Sequence, residues 1–235
     1  WTNTTGDGGS YKGEYHYDEN GRQTEYDYYS DGKLMTKDVY VYDENGNLLK
    51  QMHYDQDMQN WRYAYEYKYD AEGRQIQYRY YPEYDRLGTY TETEYDQNGY
   101  MARYTSYNAD GSVGYRYVYQ YDENGNQTGN YTYGSNGLLT YGYETVYDEN
   151  DRVISGKSYE SGGAVSSSYE YTRDAYGNEL EYRRYNRYGG LEESAQYDVF
   201  GNVFSDNYGT YTYVYRYIEN YTGHPDDDYG YDGGL

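Results

Sequence analysis

Tyr121-Asp122-Glu123-Asn124-Gly125 is the stretch on which the fold turns, because the chain writes it again and again. Copies stand at Tyr17-Asp18-Glu19-Asn20-Gly21, Tyr42-Asp43-Glu44-Asn45-Gly46, Tyr69-Asp70-Ala71-Glu72-Gly73, Tyr95-Asp96-Gln97-Asn98-Gly99 and Tyr147-Asp148-Glu149-Asn150. Degenerate copies follow at Arg173-Asp174-Ala175-Tyr176-Gly177 and Tyr197-Asp198-Val199-Phe200-Gly201. The period is about 26 residues. A fixed period of this size marks a supersecondary unit that cannot bury its apolar face alone and is stabilised by stacking on its neighbours. A second turn lies between successive copies, at Ser30-Asp31-Gly32, Asn108-Ala109-Asp110-Gly111, Gly134-Ser135-Asn136-Gly137 and Ser161-Gly162-Gly163. In such turns an aspartate bonds backbone two residues on and a glycine accepts positive φ, which suits a type I turn followed by a bulge. The turn glycines are Gly21, Gly46, Gly73, Gly99, Gly125, Gly177 and Gly201.

Between turns the sequence alternates with period two. Tyr63, Tyr65, Tyr67 and Tyr69 point one way while Arg62, Ala64, Glu66 and Lys68 point the other. Tyr115, Tyr117, Tyr119 and Tyr121 repeat this, as do Tyr211, Tyr213, Tyr215 and Tyr217. Twelve residues beyond each motif tyrosine stands another, giving a ladder of Tyr29, Tyr54, Tyr81, Tyr107, Tyr133 and Tyr159, with Tyr185 counted from Arg173. No window carries helical periodicity. The expected fold is all-β: a repetitive antiparallel up-and-down hairpin array of about sixteen strands, forming a long twisted or spiral sheet with a tyrosine-rich inner face. The expected organisation is a glycine-rich tail over 1–10, one array over 11–217 and an acidic glycine-rich tail over 218–235.

Composition narrows the function. Apolar residues make up 36% of the 235, against about 45–50% in an ordinary domain, and tyrosine alone accounts for 47 residues. The interior is therefore aromatic and hydroxyl-bearing, and its phenols need hydrogen-bond partners. Disordered chains are poor in aromatics, so order is expected. A net charge of −22 argues against nucleic acid, whose phosphates are neutralised by Lys and Arg, and against anionic lipid. Without cysteine there is no disulfide, thiolate metal site or cysteine nucleophile. No apolar stretch reaches the roughly 20 residues of a membrane helix, so no membrane insertion is expected. The chain opens at Trp1 without methionine, as a processed or trimmed chain compatible with export would.

These residues resemble the bacterial RHS/YD-repeat family, whose hallmark is a tyrosine-aspartate pair followed by a glycine turn, as in Tyr121-Asp122-Glu123-Asn124-Gly125-Asn126. The resemblance covers about residues 11–217 and has a longer period than the family's usual one. It implies a spiralling β-sheet of the kind found in large cell-surface and toxin proteins, where it can wrap a shell around cargo, and in smaller secreted proteins.

No enzyme is expected. His16, His53 and His224 fall in unrelated parts of the array, and the acidic residues sit on turns that already explain them. No cofactor is expected either. Stacked turns would set Asp18, Asp43, Asp70, Asp96, Asp122 and Asp148 in a row along one edge, the candidates for weakly bound Ca2+, although the loop departs from a calcium-binding pattern in its glycine position and lacks the distal glutamate. Sequons at Asn3, Asn126, Asn130 and Asn220 leave glycosylation open. The expected function is a non-catalytic extracellular or cell-surface structural or adhesive protein, self-associating head to tail into a homopolymer through strand edges and terminal tails. The alternatives are a carbohydrate-binding surface module that takes glycans on its aromatics and a fragment of a larger RHS-type shell.

Overall fold

The computed structural model describes residues 2–4, 10–56, 58–198, 202–206 and 209–210. Gly201, the strand expected through Tyr211 to Tyr217, His224, Asn220 and the tail over 218–235 lie outside them. Eighteen strands are formed and no helix among the described residues. They are β1 (Thr2–Thr4), β2 (Ser10–Tyr17), β3 (Gln23–Ser30), β4 (Lys33–Tyr42), β5 (Leu48–Tyr54), β6 (Trp61–Tyr69), β7 (Gln75–Tyr81), β8 (Tyr90–Tyr95) and β9 (Met101–Tyr107). The second half continues with β10 (Val113–Tyr121), β11 (Gln127–Gly134), β12 (Leu139–Tyr147), β13 (Val153–Tyr159), β14 (Val165–Arg173), β15 (Glu179–Asn186), β16 (Leu191–Tyr197), β17 (Val203–Asp206) and β18 (Gly209–Thr210).

Every pairing is antiparallel and joins strands adjacent in sequence, from β1 with β2 through β8 with β9 to β17 with β18. Among the described residues no contact joins strands farther apart in sequence, so these strands form one open meander. Thr2–Thr4 adds to it as an edge strand, with Asn3 opposite Tyr11.

The sheet has no conventional core. Trp61 and Ala64 are the buried hydrophobic residues, and no large side chain is fully buried among the described residues. Cohesion comes from the backbone ladder, supplemented by cross-strand ring pairs such as Tyr15 with Tyr26 at 4.9 Å and Tyr90 with Tyr107 at 4.5 Å between centroids.

The motif turn closes as its chemistry dictates. Gly125 N–H donates to the Asp122 carbonyl at 3.1 Å and Asp122 N–H donates to the Asn126 carbonyl at 3.0 Å, with Gly125 at φ 88°. The same pair of bonds recurs at Asp18, Asp43, Asp70, Asp96, Asp148 and Asp174, and Gly21, Gly46, Gly73, Gly99 and Gly177 also take positive φ. Asp151 fills the glycine position of its copy at φ 60°. A register shift falls at the motif residue each time, between Gln120 and Tyr121 or between Val146 and Tyr147. A second shift falls at most ladder tyrosines, as between Tyr28 and Tyr29 or between Ser158 and Tyr159. Two connections, over 55–60 and 82–89, carry no repeat of the turn sequence; the second is closed by a bridge between Glu83 and Arg86.

Candidate functional site

The edge formed by the motif turns is built almost wholly from local bonds. Asp18 Oδ1 accepts from the backbone N–H of Asn20 at 2.9 Å and of Arg22 at 2.8 Å, while Oδ2 receives the Arg22 guanidinium at 2.6 Å. Asp122 repeats this with Asn124 N–H, Asn126 N–H and the Asn126 side-chain amide. Asp43 binds Asn47, Asp70 binds Arg74, Asp148 binds Arg152 and Asp174 binds Asn178 in the same way. Asp96 accepts the backbone N–H groups of Asn98 and Tyr100. The residue after each glycine, Arg or Asn in most copies, is therefore a working member of the turn that the Tyr-Asp and glycine signature does not reveal. These bonds lower the pKa values of Asp18, Asp148, Asp43 and Asp174: the Arg22 and Arg152 backbone N–H groups dominate at Asp18 and Asp148, and the Asn47 and Asn178 side-chain amides at Asp43 and Asp174. Both carboxylate oxygens of Asp18, Asp43, Asp70, Asp122 and Asp148 in the row expected to attract calcium are thus engaged by N–H donors, as is one oxygen of Asp96.

The motif tyrosines act between units. Tyr42 donates its hydroxyl to the Gln23 carbonyl at 2.9 Å, Tyr69 to Leu48 at 2.9 Å, Tyr95 to Gln75 at 3.1 Å, Tyr121 to Met101 at 3.2 Å and Tyr147 to Gln127 at 3.2 Å. Each acceptor lies two residues past the turn glycine of the preceding unit. Where the seventh copy writes Arg173, its guanidinium reaches Val153 O at 3.2 Å in the same role. Tyr17, in the first copy, is 60% exposed.

The ladder tyrosines meet carboxylates fifteen residues earlier. Tyr81 donates to Glu66 at 2.8 Å, Tyr107 to Glu92 at 3.1 Å, Tyr159 to Glu144 at 2.7 Å and Tyr185 to Glu170 at 2.6 Å. Tyr29 bonds Glu14 and Asp27. Position minus fifteen is valine for the two exceptions, Val39 and Val118. There Tyr54 turns to the Met52 sulfur at 3.7 Å, and Tyr133 lies under the Arg116 guanidinium at 4.9 Å. Glu144 also accepts from Tyr131 at 2.7 Å. That double bond, Tyr159 first, holds the Glu144 pKa down, and it lifts Tyr159 to about 12. The glutamates escaped sequence reading, though their constant offset is visible once the ladder is known.

Register assigns the two faces. Glu66 pairs with Arg79, Ala64 with Tyr81 and Lys50 with Glu66, so charged residues share one face with the ladder. Tyr65 pairs with Tyr80 and Tyr104 with Tyr117 on the other. There rings cluster, Tyr65 with Tyr78 at 5.9 Å and Tyr171 with Tyr182 at 5.2 Å. Burial, aided by its tyrosine neighbours, pushes Tyr78 up to about 12.

Of the histidines, His53 Nδ1 lies 2.8 Å from Asp38 Oδ1 and its ring stacks on Tyr63 at 4.6 Å. His16 belongs to the other face, where it forms with Glu14 and Asp27 a group whose ligand atoms lie within 4.8 Å of one another. Glu14 also pairs with Lys12 at 2.5 Å, and Asp27 and Glu25 with Lys37 at 3.4 and 2.7 Å, so a metal ion there would compete with two ammonium groups. Of the sequons, Asn126 spends its amide on Asp122 and Asp151, whereas Asn130 is half-buried on the tyrosine face.

Fold and bonds together define an open, single-layer array of β-hairpins held unit to unit by tyrosine hydroxyls. No protein-family profile matches the chain, and no curated protein matches it. Among solved structures it is similar to a chain of the Photorhabdus luminescens Tc holotoxin pore, with 14% identity, a TM-score of 0.37, and coverage of 86% of this chain and 12% of that one. A TcdB2-TccC3 structure gives 15% identity and a TM-score of 0.35, with coverage of 85% and 12%. A porin-like protein from Bacteroides uniformis gives 10% identity and a TM-score of 0.31, with coverage of 78% and 87%. The chain thus spans about an eighth of the toxin chains' length.

Proposed function

We propose that this chain is a non-catalytic structural element of an extracellular or cell-surface assembly: a β-array that lengthens by adding strands at its ends. One observation carries this reading. Among the described residues every strand from β1 to β18 pairs only with its sequence neighbours, and the motif turns from Asp18 to Asp174 share one pair of backbone bonds, so a further unit, or a second copy, joins without changing those already present. Among the described residues β1 pairs on one side only, with β2, and its other edge is where such an addition would occur. A heterologous contact of this kind need not close and produces filaments. The charge of −22 opposes association at low ionic strength and is screened by salt.

Size-exclusion chromatography with light scattering, followed by negative-stain microscopy, tests the proposal. Mass rising above 27.8 kDa with concentration and salt, together with filaments, supports it. A sharp monomer peak under all conditions and fields without filaments would end it.

A further inference from the structure

The face that carries the stacked tyrosines has a second property, which emerges only from register. From β6 to β13 none of its registered positions holds Asp, Glu, Lys or Arg. The chain has 41 acidic and 19 basic residues, and over the same strands the opposite face carries Glu66, Arg79, Glu92, Arg103, Glu144 and Lys157 among others.

Within this neutral face the tyrosines form ridges with a furrow between them. On β10 stand Tyr117 and Tyr119; on β12 stand Tyr141 and Tyr143. Between them β11 presents Asn130, opposite both Tyr119 and Tyr143, and Thr132, opposite both Tyr117 and Tyr141. Ridges two strands apart are separated by about 9.6 Å, and burial together with the Tyr117 and Tyr143 phenols raises the Tyr119 pKa, so the two walls sense each other across the floor. Tyr141 is 53% exposed. Among the described residues the side chains of Asn130 and Thr132 have no hydrogen-bond partner, while the Thr132 carbonyl accepts from the Thr140 hydroxyl at 3.0 Å. The furrow therefore offers apolar ring faces on its walls and free amide and hydroxyl groups on its floor, with no charge at either.

We propose that this furrow over β11 binds a neutral polysaccharide. Sugar rings present apolar C–H faces to aromatic walls and hydroxyls to a polar floor, and a surface without fixed charge neither attracts nor neutralises uronate or sulfate groups. A protein of charge −22 repels anionic polymers as well. This inference is independent of self-association and holds for a monomer.

The test is affinity electrophoresis of the unglycosylated chain through gels containing neutral soluble polysaccharides, a mixed-linkage β-glucan, a xyloglucan and a dextran, with alginate and hyaluronan as anionic gels. Retardation by at least one neutral polymer and by neither anionic one is expected. Tyr141→Ala and Thr132→Glu should each weaken that retardation about tenfold, through the loss of an exposed aromatic ring that the bound polymer would cover or the placing of an unpaired charge beneath it. Tyr176→Ala, at a turn where the ring is 91% exposed, should leave it unchanged. Far-UV circular dichroism and urea midpoints identify any variant that fails to fold, in which case Asn130→Ala replaces it. Free migration in all neutral gels overturns the proposal, as does equal retardation by alginate. So does equal binding by all furrow variants. Light scattering that finds a dimer dissociated by Tyr141→Ala, without polysaccharide binding, would assign the furrow to a second copy instead.

Discussion

Residue by residue, the motif turn assigns each position a task. Asp122 organises two N–H groups and an amide, Gly125 supplies the left-handed backbone and Tyr121 reaches back one unit. Gly125 also lies directly under the Tyr100 ring, so an added Cβ would strike that ring as well as strain the backbone. Asp151 is the informative exception. It holds φ 60° without being glycine, which costs a β-carbon residue about 1 kcal/mol, and its exposed bonds to Asn124 and Asn126 contribute little in return. Asp151→Gly should therefore stabilise the protein by about 0.5–1 kcal/mol, read as a rise in urea midpoint at unchanged slope; a lower midpoint would show that the contacts to the preceding turn outweigh the strain. Tyr121→Phe removes the hydroxyl bond to Met101 O while keeping the ring. It should cost about 1 kcal/mol, or about 2–4 °C in melting temperature, and a loss within error would mean that water serves that carbonyl as well as tyrosine does.

Strand pairs set the response to pH. Glu144 pairs across β11, β12 and β13 with two phenols, and Tyr159 and Tyr78 both titrate near 12 in the folded state. An unfolded tyrosine titrates near 10, so the folded chain holds these protons more tightly. Their contribution is present in full below about pH 10 and is lost as pH rises toward 12. For Glu144, Asp18 and Asp148 the folded pKa is lowered. Their contribution is present above the unfolded carboxylate value and disappears as pH falls through the folded one. Stability should thus form a plateau over neutral pH, falling on both sides, as thermal melts at intervals of one pH unit will show. Replacing Glu144 with Gln should blunt the acid arm and leave Tyr78's share of the alkaline arm in place.

At the scale of the whole molecule, strands that among the described residues touch only their sequence neighbours behave as a one-dimensional array. Residues 127–152 form one period, from just after the turn of Asn126 through Arg152, its counterpart in the next unit. Their deletion joins equivalent positions, so the shortened chain should fold into a sheet of the same kind, with the slope of its urea transition reduced in proportion to the surface removed. Collapse to a disordered chain would show that the sheet depends on a contact between distant strands.

The sequence by itself determined the turns, the strand segments, the all-β class and the array, because those depend on chemistry within a few residues: an aspartate reaching its own backbone, a glycine at positive φ, alternation by twos. It also displayed the tyrosine ladder. The tertiary structure alone decided which face each ring occupies. At every bulge one strand gains a residue and the alternation loses its phase, so Trp61, in step with Tyr63 by counting, sits opposite Tyr54 and against the Tyr81 ring instead. The separation of a charged face from a neutral one follows from those shifts in register, as do the glutamate partners fifteen residues away, because both are set by where one strand lies against the next.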